Sequence, residues 1–162
     1  MLKLYKNSSD ATQYWETWDN GDGSHTVHWG RLGERGESTI LKSSILSNAR
    51  NKIQKEIDRL VVDGYHQIDT EEHARLMIEY AVEGHGDTSD IDKRHRLEER
   101  MNEALGWTGL GLCDGGSIGS GTMEVCCYVV DFDIAKAVIE TNLKGTEFEN
   151  YTRIYNEDAA GA

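Results

Sequence analysis

Trp29-Gly30-Arg31 is the stretch of this chain whose residue types and spacing first suggest chemistry. On an extended strand, side chains alternate between faces, so His25, Val27, Trp29 and Arg31 share one face and Thr26, His28, Gly30 and Leu32 the other. An indole beside a guanidinium offers a flat stacking surface next to a two-pronged phosphate donor, which suits a nucleic-acid end or an exposed sugar. The same residues also fit an architectural role, with Trp29 in the core, Gly30 admitting a helix and Arg31 paired with a carboxylate such as Glu16. Arg50, Lys52, Lys55 and Arg59 add positive charge along a predicted helix, offset by Glu56 and Asp58, and are candidate phosphate contacts.

Other chemistries find less support. The glycine-rich run from Gly109 to Gly121 has no GxGxxG register and no lysine after it, as a phosphate loop requires, so it is expected to be a long hairpin turn over Asp114–Gly121. The histidines and cysteines contain no CxxC, no HExxH and no helical pair of histidines at i, i+4, which leaves no metal site. Cys126 and Cys127 point to opposite faces of a strand, and with Cys113 they read as small buried hydrophobes rather than a disulfide framework. His85-Gly86-Asp87 falls in a loop without a recognisable nucleophile, base and orienter, so the chain is read as non-enzymatic, with no catalytic residue and no cofactor.

Residues 2–41 carry the strands that must position the first motif: Leu2-Lys6, Gln13-Trp18 and Ser24-Leu32, with turns at Asn20-Gly21-Asp22-Gly23 and Gly33-Glu34-Arg35-Gly36, forming a meander. Ile45, Leu46, Ala49, Ile53, Ile57, Leu60 and Val61 then recur at helical spacing, capped by Ser43 or Ser44 and ended by Gly64. Tyr65-Ile68 is expected to return to the sheet as a strand. A helix with one apolar stripe needs a sheet face to cover, and the meander supplies it.

The second half has the order βαββαβ: a strand with Leu76, Ile78, Tyr80 and Val82, a helix from near Ser89 or Asp90, strands at Trp107-Cys113 and Met123-Val130, a helix over Asp133-Leu143 and a strand at Tyr151-Tyr155. That order is the split βαβ pattern of ferredoxin-like folds. Asp158-Ala162 reads as a frayed tail. The fold class is therefore α+β, with one domain over residues 1–68 and a second over 74–157.

Trp29-Gly30-Arg31 with Leu32-Gly33, Gly36, a single amphipathic helix and a closing Gly64-Tyr65 resembles the WGR domain over about residues 1–68. The resemblance implies an antiparallel sheet with one helix packed across it. In poly(ADP-ribose) polymerases such a domain helps to recognise DNA breaks, with the tryptophan and arginine near the DNA end. Family members often carry a lysine before the closing Gly-Tyr, where this chain has Leu60-Val61-Val62-Asp63. Weak to modest binding of DNA or RNA ends is the corresponding expectation.

Charge divides the 162 residues unequally: residues 1–68 hold 9 basic and 9 acidic side chains, residues 69–162 hold 8 and 20, and the net charge is -12. Clusters at Asp69–Glu72, Asp87–Asp92 and Glu98, Glu99 and Glu103, with Asp114, repel nucleic acid and attract basic proteins. A basic protein partner, met by an acidic inhibitor or immunity-type protein, is the alternative expectation. A mean hydropathy of -0.61 and the absence of a long apolar run argue against a membrane span, and the chain is expected to be cytoplasmic.

Overall fold

In the computed structural model, residues 1–44 and 48–160 are described. Among them the protein is of mixed α+β architecture, with two antiparallel four-stranded sheets and four helices. It divides into two compact units, Met1–Ile68 and Asp69–Ala162.

In the first unit β1 (Leu2–Asn7), β2 (Thr12–Asp19), β3 (Ser24–Arg31) and β4 (Glu37–Lys42) pair in sequence order as a meander. Gly21 and Gly23, both at φ 80°, make the β2–β3 turn, where the Asp19 and Asp22 carboxylates accept from the Gly21 and Ser24 N–H groups. Leu4, Trp15 and Val27 form one core with Ile53 and Leu60 of α1 (Ala49–Val62).

The helix departs from expectation at its ends. Asn48, not Ser43 or Ser44, is the N-cap, its side chain accepting from the Arg50 N–H, although the Ser43 hydroxyl accepts from the Ala49 N–H. Ile45 and Leu46 lie outside the described residues. Val61 is 54% exposed, because a residue adjacent to buried Leu60 is turned about 100° away from it. Gly64, at φ 97°, ends the helix, and the expected strand at Tyr65-Ile68 reduces to one bridge between Tyr5 and His66.

The second unit contains β5 (Ala74–Ala81), α2 (Thr88–Gly106), β6 (Gly111–Gly119), β7 (Thr122–Val129), α3 (Phe132–Leu143), β8 (Arg153–Asn156) and α4 (Glu157–Ala160). The sheet order is β6-β7-β5-β8. Met123, Val125, Cys127 and Val129 alternate as the fully buried side of β7, and Leu97, Met101 and Leu105 of α2 with Ala135, Ile139 and Leu143 of α3 are equally enclosed.

The glycine-rich run corrects the expected long turn. β6 continues to Gly119, and only Ser120 and Gly121, both with positive φ, make a two-residue hairpin. A bulge at Asp114-Gly115 absorbs the extra residues between Cys113 and Gly116. A Cβ at Gly111 or Gly116 would overlap the carbonyl oxygen of Tyr128 or Glu124, so these glycines admit β7's backbone rather than turn the chain.

Two further boundaries move. Trp107–Leu110 closes α2 instead of starting a strand, with Trp107 and Leu110 N–H groups donating to Glu103 and Leu105. Asp158, expected in a frayed tail, accepts from both the backbone N–H (2.8 Å) and Nε (2.7 Å) of Arg75, tying α4 to β5. Gly161 and Ala162 lie outside the described residues.

Candidate recognition site

Strand alternation puts Trp29 and Arg31 on one face of β3, opposite Trp15 and Gln13 of β2. Trp29 is half-buried and packs against the core cluster beneath α1. It also walls a cavity of about 410 Å³ between the sheet and the helix, with Trp15, Leu41, Tyr65, Glu56 and Arg59 among the lining residues. The indole is thus divided between core and cavity rather than presented as an outward plate.

Arg31 is 55% exposed, and its Nε lies 3.7 Å from Glu34 Oε1, a contact too long and too solvated to hold the guanidinium firmly. Its expected architectural partner, Glu16, is instead bound by Lys3 and His28.

Gly30 faces away from α1. A Cβ there would meet Gly36 Cα and the Tyr14 hydroxyl, so this glycine admits the Gly33–Gly36 turn and not the helix. Gly36 in turn packs on the Trp29 carbonyl, leaving no room for a side chain. The two glycines of the motif therefore press the turn after Arg31 onto the strand that carries it.

Behind that contact lies a buried polar chain that sequence reasoning missed. Glu16 and His28 are register partners in β2 and β3, and His28 Nδ1 donates to Glu16 Oε1 at 2.7 Å. His28 Nε2 lies 3.1 Å from the Tyr14 hydroxyl, which accepts from the Gly36 N–H at 3.0 Å. Lys3 Nζ meets the other Glu16 oxygen at 3.0 Å. Burial pushes the Tyr14 phenol up to about 12; the Gly36 N–H opposes that rise, and the charges of Glu16 and Glu34 add to it. The phenol stays neutral at ordinary pH and fixes the turn. The available signal was the shared parity of Tyr14, Glu16, His28 and Gly30, legible only once the β2–β3 register is known.

On α1, Lys52, Lys55 and Arg59 fall within about 60° of one another at 100° per residue and are exposed, while Arg50 projects elsewhere, its Nη2 4.0 Å from Asp19 Oδ2. Arg59 is held by Glu56 through two hydrogen bonds of 3.0 and 2.6 Å. The hydrogen bond from Arg59 holds the Glu56 carboxyl below its ordinary value. This folded-state lowering makes the pair's contribution present above the ordinary carboxylate range and lost as pH falls through the depressed value.

In the second unit several acidic side chains are engaged. Asp87 and Asp90 form the capping box of α2, and Glu98 and Glu147 pair with Arg94 and Arg96. Glu79 and Glu124 stand opposite each other on β5 and β7; Arg153 Nη2 lies 2.7 Å from Glu79, and the Tyr155 hydroxyl donates to Glu124 at 2.7 Å. The loop of exposed His85 adjoins the β6–β7 hairpin through backbone, Gly121 N–H donating to Gly84 O at 2.7 Å.

Among the described residues there is no group of three or more His, Cys, Asp or Glu placed to hold a metal ion, and no helix is long and apolar enough to cross a membrane. Compared with family models, curated proteins and solved structures, the chain matches none.

Proposed function

We propose that the chain is a non-enzymatic recognition protein whose first unit, a WGR-like module, contacts nucleic-acid ends or a protein partner through Trp29 and Arg31. The observation that carries this is the exposed, loosely held Arg31 one strand repeat beyond an indole that lines an open cavity. Lys52 and Lys55 extend the positive surface on the helix, Arg59 is held by Glu56, and Arg50, 4.0 Å from Asp19, stays loosely placed on another side of the helix. The second unit is taken as ferredoxin-like; its strand order, which places the first and third strands side by side in the middle, supports that assignment.

Titration of labelled duplex DNA with free ends at low salt tests the nucleic-acid reading, and absence of binding by both the full chain and residues 1–68 would sink it. Removing residues 69–162 is expected to strengthen binding, because 20 acidic against 8 basic side chains leave with it. Equal affinity of the two forms would defeat the electrostatic part. Glu56→Gln is expected to raise DNA affinity by about twofold to fivefold by freeing Arg59 for phosphate, measured in the same titration; unchanged affinity would remove Arg59 from the footprint.

A second reading rests on one observation, that the whole net charge of -12 resides in residues 69–162. An acidic inhibitor or immunity-type protein would use it to hold a basic partner. A stoichiometric basic protein in a pull-down favours this reading, and bound nucleic acid favours the first.

A further inference from the structure

Cys113 of β6 and Cys127 of β7 are direct register partners in the antiparallel ladder, and both point into the layer between sheet and helices. Directly opposed residues in such a ladder have Cα atoms about 4.5–5.5 Å apart, inside the roughly 4.4–6.8 Å that a disulfide spans. All three cysteines are free in this structure.

The surroundings favour this pair over any other. The Cys113 N–H donates to Asn102 Oδ1 of α2 at 2.9 Å, which fixes the backbone at this ladder position. The ladder is broken immediately beyond, at the Asp114-Gly115 bulge, so β6 can shift slightly toward β7 without disturbing a long run of pairs. Cys126 faces the other side of the sheet, with Met77 as its partner on β5 and the bulge across from it on β6, so neither other thiol is within its reach.

We propose that Cys113 and Cys127 are a modification site, a cross-strand dithiol that closes to a disulfide when a small hydroperoxide reaches it. Cys113 is 7% exposed and Cys127 is 0% exposed, which assigns the first attack to Cys113 and limits the oxidant to something near the size of water. In the first step the Cys113 sulfur forms a bond to a peroxide oxygen, the O–O bond breaks, and the thiol proton leaves with the departing oxygen as water. The Cys127 sulfur then bonds to the Cys113 sulfur, the S–O bond breaks, and hydroxide takes the Cys127 proton as a second water. Two thiols lose two electrons and one hydrogen peroxide becomes two waters. The adjoining Cys113 thiol and burial raise the Cys127 thiol well above its ordinary value, so it keeps its proton until that second step.

Reduced full-length protein, treated with hydrogen peroxide, denatured and alkylated, should take one alkyl group instead of three, at Cys126. It should weigh two hydrogens less before alkylation, yield a peptide joining Cys113 to Cys127, and regain three alkylatable thiols on reduction. Cys126→Ser should still close, whereas Cys113→Ser and Cys127→Ser should each keep both remaining thiols. Three alkyl groups on the peroxide-treated wild type, or a bond that includes Cys126, would overturn the proposal. The wild-type result decides it even if a serine variant folds poorly.

Discussion

Replacing His28 with leucine should destabilise the protein by about 2–4 kcal/mol, read from urea unfolding followed by tryptophan fluorescence. The imidazole is wholly enclosed and donates to Glu16, whose side chain is 5% exposed. Leucine approximates the shape but leaves Glu16 with Lys3 alone, and taking a partner from a buried carboxylate commonly costs about 3–5 kcal/mol. Lys3, 27% exposed, keeps the remaining charge partly compensated, which sets the expected loss below the top of that range. Converting Glu16 to leucine as well should recover part of the loss, because no carboxylate then remains buried without its donor. A loss below about 1 kcal/mol for His28→Leu alone would show that the polar chain is not what fastens the Gly33–Gly36 turn.

Gly111→Ala should cost about 3 kcal/mol or more, while Gly119→Ala should stay within roughly 0.5 kcal/mol, in the same unfolding measurement. At Gly111, φ is 151° and an added Cβ runs into the Tyr128 carbonyl, which belongs to the backbone of β7 and has no flexible end to move aside. At Gly119 a Cβ meets nothing within 4 Å and φ is not positive. If the run served as a pliant loop, the two substitutions would cost the same. Equal effects would therefore contradict its placement as a strand pressed against β7.

Much of this architecture was legible in the sequence because period and turn chemistry acted together. The alternation through Ser24–Arg31, the Asn20–Gly23 turn and the three-to-four spacing of Ala49, Ile53, Ile57 and Leu60 each specified an element that formed. The errors share a cause in contacts remote along the chain. Glycines at 111 and 116 look like turn residues in isolation, yet β7 requires them, and no local pattern carries that requirement. Asp158 looks like tail until Arg75, 83 residues away in sequence, takes it up. Asn48 outcompetes Ser43 and Ser44 as cap because it stands next to the first helical residue.

The placement of the candidate residues was legible only in part. Alternation alone placed Trp29 and Arg31 on one face, and the structure has them there. What alternation could not supply was depth: α1 covers part of that face, so Trp29 is shared with the core while Arg31 lies beyond the helix's cover. The Glu16–His28–Tyr14 chain was invisible because it depends on cross-strand register, which a single strand does not reveal.

Arg31 offers the cleanest probe of recognition, since its exposed side chain can be removed without touching the core. Fluorescence anisotropy of an end-labelled DNA duplex, titrated at low salt with wild type and Arg31→Ala of equal thermal stability, is the deciding measurement. Phosphate binding through Arg31 predicts roughly tenfold weaker affinity for the variant, the loss expected when a charge-assisted contact disappears. Identical titration curves for the two proteins would contradict it.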